Sequence, residues 1–338
     1  MPDSASRRDA SPPAASGASG DEREPDDERG AEEQAAQSGG YAPIQRVRSV
    51  LLFPRDGAEP REATERAGEW LVAQGLDVAV PSRWLARGGK CPAGCRVMDI
   101  TREVASLDLA IALGGDGTLL EAAHHVADAG VPVMGINLGH LGFLTAFAAD
   151  QLMPALRAAL EGRLSWEPRL RMRVDVQRKR GTWSQTGSND VYLKHGEQPR
   201  MLSLRTHVGR VHMADYRADG LIVCTPMGST AYNLAAGGPI VDHGTGTFTI
   251  TPICPHSLTH RPVVTGAART IRIEYLGPGD AGPATLSVDG IWGLTLEVGD
   301  EVRVSRADRP LKLVPPSASV FDVLTHKLGW SSPRPKGI

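Results

Sequence analysis

Hydrophobic positions in residues 41–165 alternate between short continuous runs and helically spaced groups. The run at residues 47–53 is followed by a segment, 60–74, whose Ala67 and Leu71 are one helical turn apart. Further runs follow at residues 76–80, 107–113 and 131–136, and further helical segments at residues 118–129 and 150–164. Continuous apolar runs are typical of central parallel strands, and the intervening segments place helices on both faces. The pattern predicts a Rossmann-like parallel α/β domain.

The pattern changes after Trp166. Arg169, Arg171 and Arg173 alternate with apolar residues, which predicts a strand over residues 169–176 with one solvent-exposed face. Short strand-like runs separated by Gly, Pro and Asp follow at residues 201–208, 220–225, 247–250, 270–275, 284–288 and 301–305. This half is predicted to be a mostly-β, sandwich-like domain.

Four segments follow from these patterns: an acidic tail at residues 1–40, an α/β domain at 41–165, a β-rich domain at 166–312 and a C-terminal helix within 313–330. The tail has no Val, Ile, Leu, Phe, Tyr or Trp, so we expect it to be disordered. The last segment is amphipathic over residues 320–328, and we expect its helix to return to the first domain.

Charge and cysteine content restrict the class of protein. Residues 1–40 have ten acidic residues and four arginines, a net charge of −6, so a total of −2 leaves +4 elsewhere. A mildly basic body suits a small anionic ligand, and nothing indicates a nucleic-acid or membrane partner. The chain begins without a secretory h-region, has no run of about 18 apolar residues and has only four cysteines. We therefore predict a cytoplasmic protein.

The sharpest local feature is Gly114-Gly115-Asp116-Gly117-Thr118, between a buried strand and a helix. Ligands of open α/β sheets bind at that edge, where glycines let backbone N–H groups approach a phosphate. A carboxylate there repels phosphate unless it takes a proton from a hydroxyl or holds Mg²⁺. The loop lacks the Gly-Lys-Ser/Thr of a Walker A motif. The alternative is an ordinary strand-to-helix turn with Asp116 as the N-cap.

This segment resembles the GGDGT motif shared by NAD kinases and lipid kinases of the diacylglycerol and sphingosine type, and more loosely phosphofructokinases. Three further segments resemble signature segments of NAD kinases and occur in the family's order: NLGHLGFLT at 137–145, DGLIVCTPMGSTAYNLAAGGPI at 219–240 and TPICPHSLTHRPVV at 251–264. Asn189-Asp190 is similar to the family's Asn-Glu/Asp pair, and FDVLTHKLGW to its terminal helix. The resemblance covers roughly residues 45–330.

The resemblance implies residue roles. Asp116 would be the general base on the adenosine 2′-hydroxyl of NAD, and Gly117 would lie against the dinucleotide. The other positions that align with dinucleotide contacts are Asn189, Asp190, Arg200, Arg217, Asp219, Thr230, Ala231, Tyr232 and Ala235. The alternatives are solvated arginines, β-turns at the Asn-Asp and Asp-Gly pairs, and a Gly/Ser turn with Tyr232 in the core.

The aromatic ring of Tyr232 supports its assigned role, whereas three departures from the family pattern affect the edges of the predicted pocket. A purine stacks well on such a ring. Three positions depart from the family: Met227 replaces a usual Thr, Ala235 a usual Ser and Ile291 a frequent Gln. The Ala235 departure removes one expected hydroxyl contact, and none of the three affects Asp116.

These observations predict an NAD kinase that uses ATP with Mg²⁺ or another divalent cation to make NADP, in a homo-oligomer such as a dimer or tetramer. Another nucleoside triphosphate or polyphosphate remains open as donor. The alternatives are a lipid or sugar kinase that shares the GGDGT loop, and a non-enzymatic dinucleotide sensor. No residue is assigned as a metal ligand.

Three weaker features receive ordinary interpretations. Cys91 and Cys95 are interpreted as two thiols in a loop, since no second Cys/His pair lies at zinc-site spacing. His124 and His125 are interpreted as a neutral, packed or surface pair. His256 is interpreted either as a pocket residue or as a histidine satisfied by backbone.

Overall fold

A computed structural model describes residues 41–44, 46–139, 142–179, 181–196, 200–277, 283–316 and 320–329. The predicted acidic tail, residues 1–40, lies outside the described residues. The strands of the first half are β1 (Ala42–Pro43), β2 (Ser49–Pro54), β3 (Asp77–Pro81), β4 (Arg96–Met98), β5 (Leu109–Gly114), β6 (Val133–Asn137), β7 (Phe147–Ala148) and β8 (Ser165–Arg169).

The second half is built mainly from strands. They are β9 (Met172–Arg178), β10 (Gly181–Gly187), β11 (Asp190–His195), β12 (Leu202–Val208), β13 (Val211–Ala218), β14 (Gly220–Cys224), β15 (Thr247–Ile253), β16 (Val263–Gly266), β17 (Ile271–Tyr275), β18 (Ala284–Val288), β19 (Trp292–Leu296), β20 (Glu301–Arg306) and β21 (Leu311–Leu313).

Helices complete the described residues. The α-helices are α1 (Ala58–Ala73), α2 (Ser82–Ala86), α3 (Asp116–Val126), α4 (Leu152–Leu160), α5 (Tyr232–Ala235) and α6 (Val320–Leu328). Short 3₁₀ turns lie at Val104–Ser106, Ala127–Ala129, Ala149–Gln151 and Met227–Thr230. No helix in the described part of the chain has the length and apolar content needed to cross a bilayer.

The first sheet has the order β1-β8-β21-β6-β5-β2-β3-β4, and β7 also pairs with β6. Its centre is parallel, whereas β1 and β8 join it antiparallel. Alternate residues of β2 face opposite sides: Val50 and Leu52 share a core cluster with α1 and α4, and Leu51 and Phe53 share another with α3. This confirms the predicted parallel α/β domain with helices on both faces.

The second region is an antiparallel sandwich. One sheet has the order β10-β9-β20-β17-β12-β13 and the other β16-β15-β14-β11-β18-β19. Buried residues of both sheets, such as Val174, Ile273, Leu221 and Leu286, form one cluster between them. The sandwich-like architecture of the second half is thereby confirmed.

The chain crosses between the two regions twice. Strand β8 spans the predicted boundary between residues 165 and 166 and pairs within the first sheet. On the return, β21 inserts between β6 and β8 before α6 begins. Val323 and Leu324 of α6 are buried, and the Lys327 ammonium lies 4.3 Å from the centre of the Phe143 ring.

The prediction that Arg169 and Arg171 face solvent with Arg173 is wrong. Both are buried, and β9 begins only at Met172. The Arg171 guanidinium donates to Asp128 Oδ1 and Thr186 Oγ1, each at 2.6 Å. The partners that compensate this charge are distant in sequence, so the alternation of basic and apolar residues could not predict that Arg171 is buried.

Candidate active site

The Gly114–Thr118 loop joins β5 to α3. Gly115 occupies the N-cap position, and Asp116 is the first helical residue, so the interpretation of Asp116 as N-cap is wrong. A Cβ on Gly114 would lie 2.8 Å from Thr118 Cβ, whereas Cβ positions on Gly115 and Gly117 meet no atom within 4 Å. The backbone is thus packed at Gly114 and open at the two glycines beside the carboxylate.

The Asp116 carboxylate is fixed by the segment after β6. It accepts backbone N–H bonds from Phe143 at 2.7 Å, Leu144 at 3.1 Å and Thr145 at 3.3 Å. The Asn137 side-chain amide in turn donates to Thr145 Oγ1 at 3.1 Å. These bonds fix the orientation of the carboxylate. Its oxygens can still accept a further hydrogen bond from a ligand hydroxyl.

Gly142 is a site residue that the sequence analysis did not single out. A Cβ there would lie 2.7 Å from both Asp116 Cγ and Thr145 Oγ1, which real side chains do not tolerate. The sequence shows only a glycine within residues 137–145, because Asp116, which it contacts, lies 26 residues earlier in the chain.

A second part of the site is a cleft in the sandwich, with a volume of about 350 Å³. It is lined by Asn189, Asp190, Tyr192, Lys194, Ala231, Tyr232, Asp289 and Gly290. Tyr232 is 39% exposed and packs edge-on against Tyr192 with ring centroids 5.2 Å apart, so it is not in the core. Asn189 Oδ1 is buried, with no hydrogen-bond partner in the described residues. An aromatic face beside an unpaired acceptor suits a nucleoside.

Two carboxylates at the base of this cleft have different surroundings. Asp289, in a left-handed conformation with φ of 52°, accepts N–H bonds from Ser188, Asn189 and Asp190 at 2.7–3.0 Å. Burial raises the pKa of Asp289, and these N–H bonds oppose the rise. Burial, and then the charge of Asp289, raises the pKa of Asp190 to about 7. Asp289 organises the backbone, and Asp190 presents a titratable carboxyl.

Polar side chains brace the segment that carries Tyr232. The Asn233 amide donates to the Ser229 carbonyl at 3.0 Å and accepts from Thr251 Oγ1 at 2.6 Å. A Cβ on Gly228 would lie 2.8 Å from Asn189 Cα. The predicted signature segments 219–240 and 251–264 therefore meet in space and position the aromatic ring.

The other predicted site residues lie outside the cleft lining. Arg200 and Arg217 are exposed, Asp219 is half-buried between β13 and β14, and Ala235 is exposed on α5. Thr230 Oγ1 points back to the Met227 carbonyl at 3.4 Å. The backbone N–H of His256 donates to the Arg217 carbonyl at 2.8 Å. The backbone N–H of Asp219 donates to the Ile253 carbonyl at 3.0 Å. Asp116 and its loop likewise lie outside this lining.

Helix α3 joins the two parts of the site. Met227, which begins the turn before Tyr232, shares a buried cluster with Leu119 and Ala123 of α3. The Trp292 indole donates to His124 Nε2 at 2.5 Å. The helix that begins at Asp116 is therefore in contact with both the Tyr232 segment and the strand after Gly290.

The Cys91–Cys95 pair and the His124–His125 pair are partly buried, and burial shifts their pKa values. The Cys91 thiol donates to the Cys95 carbonyl at 3.2 Å, and burial raises the pKa of Cys95 to about 11. Burial also lowers the pKa of His125 and takes that of His124 to about 4. No group of three or more His, Cys, Asp or Glu side chains in the described ranges could hold a metal ion.

Comparison with known proteins decides the family. Residues 62–164 match the model of the ATP-NAD kinase N-terminal domain, and residues 188–316 that of the C-terminal domain. An NAD kinase of Geotalea daltonii is 38% identical over 270 residues, covering 79% of this chain and 92% of the relative. The chain belongs to the NAD kinase family.

Other NAD kinases and solved structures agree. A Moorella thermoacetica NAD kinase is 45% identical over 222 residues, which are 65% of this chain and 71% of the relative. The crystal structure of yeast NADH kinase complexed with NADH has a TM-score of 0.79 and 25% identity, covering 87% of this chain and 93% of the yeast chain. An Archaeoglobus fulgidus NAD kinase in complex with ATP shares the fold, with a TM-score of 0.64, 22% identity and coverage of 85% and 100%.

Family membership confirms the predicted kinase and leaves the lipid kinase, sugar kinase and sensor alternatives without support. Two departures from the NAD kinase pattern have a clear placement. Met227 lies in the apolar core with α3, where the usual Thr would bury a hydroxyl, and Ile291 is 37% exposed beside Gly290.

Proposed function

We propose that the protein transfers the γ-phosphoryl group of ATP to the 2′-hydroxyl of the adenosine ribose of NAD, giving NADP and ADP. The observation that carries the proposal is the Asp116 carboxylate, held by three N–H groups beside the open Gly115 and Gly117 backbone. The same fold occurs in a yeast kinase complexed with NADH and an archaeal kinase complexed with ATP.

In the proposed reaction, Asp116 accepts the proton of the 2′-hydroxyl as that oxygen bonds to the γ-phosphorus. The bond between the γ-phosphorus and the β–γ bridging oxygen breaks, and ADP leaves. Positioning and electrostatics supply most of the acceleration. The N-terminus of α3, which begins at Asp116, favours the negative charge of the phosphates.

A divalent cation belongs to the donor in this proposal. Mg²⁺ in nucleotide sites is bound through substrate phosphates and one or two carboxylates, and it neutralises phosphate charge. The residues present fit that arrangement, since Asp116 places one carboxylate beside the open backbone of Gly115 and Gly117.

The cleft would hold the adenosine part of NAD. Tyr232 offers a stacking face, Asn189 Oδ1 accepts a hydrogen bond, and Asp190 accepts from a ribose hydroxyl when ionised. Ala231 lines the same cleft. Contacts of Arg200, Arg217, Asp219, Thr230 and Ala235 with the dinucleotide stay predictions, as do the homo-oligomer and the cytoplasmic location.

An assay of product formation tests the proposed function. Purified protein is incubated with Mg²⁺ and NAD, together with ATP, another nucleoside triphosphate or polyphosphate, and NADP is measured enzymatically. ATP should give NADP, and a diacylglycerol acceptor should give no phospholipid. NADP formation absent with every donor would contradict the proposal.

Replacing Tyr232 by alanine should raise the KM for NAD by about 5- to 150-fold, because stacking on a base contributes about 1–3 kcal/mol. We expect kcat to change much less, since the ring does not touch the transferred phosphoryl group. Steady-state kinetics with varied NAD measure both. Tyr232→Phe is the control and should retain the wild-type KM; an unchanged KM in the alanine variant would rule out stacking.

Replacing Asp190 by asparagine should remove a pH dependence. In the wild type, kcat/KM for NAD should rise as pH increases through about 7, because the ionised carboxylate accepts ribose hydroxyls. The pKa of Asp190 is raised from about 3.8 in the unfolded chain to about 7 in the fold, so folding favours the protonated carboxyl. The free energy of unfolding therefore falls as the pH rises from about 3.8 through about 7. Asp190→Asn should therefore be less active yet melt at a higher temperature at pH 8.

Both effects of the Asp190 substitution are read from one preparation. Rate profiles between pH 5.5 and 9 (about 1.5 units below and about two above the transition) and thermal melts at pH 5.5 and 8 suffice. A variant that keeps the wild-type transition near pH 7 would assign that transition to another group.

A further inference from the structure

His124 lies two helical turns after Asp116 on α3 and contacts the other region of the protein. Its Nε2 accepts a hydrogen bond from the Trp292 indole N–H at 2.5 Å, and the ring centroids are 5.2 Å apart. The Gln185 side chain hydrogen-bonds to the same imidazole. One side chain of the α/β domain is thus bound by two side chains of the sandwich.

The two partners come from different sheets. Gln185 belongs to β10 in one six-stranded sheet, and Trp292 begins β19 in the other. Trp292 is also two residues after Gly290, which lines the nucleoside cleft with Asp289. Asp289 in turn holds the N–H groups around Asn189. A short path therefore connects the imidazole to the cleft.

The hydrogen bond defines the state of the ring. Nε2 must be unprotonated to accept from an indole, which donates only, so the imidazole is neutral. Burial lowers the pKa of His124 to about 4; the charges of His125 and Arg171 add to this, and Asp128 opposes it. The acceptor therefore persists across the neutral pH range.

The proposed reaction needs such a contact because its groups lie on two regions. Asp116 begins α3, whereas the cleft belongs to the sandwich. A misplacement of about 1 Å between reacting groups can cost about 10²-fold in rate. The Met227 contact with α3 is apolar and not directional, whereas the bonds of His124 fix both distance and orientation.

We propose that His124 is a positioning residue for phosphoryl transfer, which through Trp292 and Gln185 fixes α3, and with it Asp116, relative to the nucleoside cleft. This inference rests on the proposed function. It assigns no contact with substrate to His124 or Trp292.

Kinetics of His124→Leu and Trp292→Phe test the proposal. Leucine removes the acceptor and retains bulk, and phenylalanine retains a ring and removes the donor. Each should lower kcat about 10-fold at a temperature well below its melting point and change the KM for NAD less than two-fold, because the cleft itself is intact. His124→Gln, which retains hydrogen-bonding groups, should recover part of the loss.

The matched control is His125→Leu. His125 is the next residue on α3 but packs toward Phe53, with ring centroids 5.9 Å apart, so its kcat should stay within two-fold of the wild type. In the double variant of His124 and Trp292 the loss should equal that of His124→Leu alone, since that substitution already removes the Trp292 hydrogen bond. Wild-type kcat in Trp292→Phe, or an equal loss in His125→Leu, would overturn the proposal.

An NMR measurement separates this inference from the proposed function. The Trp292 indole N–H resonance, assigned by its absence in Trp292→Phe, should shift in His124→Leu and should shift with acid at a midpoint near pH 4. A wild-type protein that makes no NADP would overturn the proposed function while this resonance still reported the contact. An indole resonance unmoved in His124→Leu would overturn the inference alone.

Discussion

Replacing Asp116 by asparagine should lower kcat for NADP formation by about 10²- to 10⁴-fold, the usual contribution of a general base. Asparagine has the same shape and can still accept from Leu144 and Thr145, which bond to Oδ1. Its amide nitrogen would face the Phe143 N–H, which loses its acceptor. That loss costs about 1–3 kcal/mol, so the chain should remain folded.

Binding and turnover must be measured separately for this variant. Calorimetric titration with NAD should give a Kd within a few-fold of the wild type, while coupled assays of NADP formation show the loss. A circular-dichroism melt checks the fold. Turnover retained in a folded Asp116→Asn protein would show that another group accepts the proton, and the proposed chemistry would have to be abandoned.

The second large effect is expected from a single methyl group. Gly142→Ala places a Cβ 2.7 Å from Asp116 Cγ and from Thr145 Oγ1, and the carboxylate must move away from the N–H groups that hold it. We expect kcat to fall by about 10²-fold or more, because the reacting group is displaced by a large fraction of an ångström. The KM for NAD should change little, since the cleft is built from other residues.

Gly139→Ala is the matched control for Gly142→Ala. Gly139 lies in the same segment, but a Cβ there meets only Asn137 Oδ1, at 3.8 Å, which is ordinary contact. The control should retain nearly wild-type kcat. Equal losses in the two variants would attribute the effect to the backbone of the segment and not to the Asp116 carboxylate.

Local pattern was sufficient where one element depends on its own residues. The continuous runs and helical spacings predicted β2, β3, β5, β6 and α1 within a few residues, because burial on both faces demands unbroken apolar sequence. The loop from Gly114 to Thr118 was likewise visible, since its glycines and carboxylate are adjacent in sequence.

Features that depend on distant partners could not be predicted. The sequence pattern predicted a solvent-exposed Arg171, yet its side chain is buried and donates hydrogen bonds to Asp128 and Thr186. Gly142 and Asp289 matter through atoms of Asp116 and of residues 188–190, far away along the chain. Alternation of residues cannot show such contacts, because they arise only when the regions pack together.

Short strands were missed for a related reason. Leu311–Leu313 has three residues, and the sequence alone gave it no period to detect. Its identity as a strand comes from the two edges it meets, β6 and β8, which supply hydrogen bonds on both sides. Its backbone partners therefore define the element more than its side chains do.

The insertion of β21 between β6 and β8 has a consequence for synthesis. As the chain leaves the ribosome, β6 and β8 are made long before the three residues that separate them, with the whole sandwich translated in between. Until Leu311–Leu313 emerges, the first sheet has a gap with unpaired backbone groups on each side. Completion of that sheet therefore depends on a contact of large sequence separation, which must form late in folding.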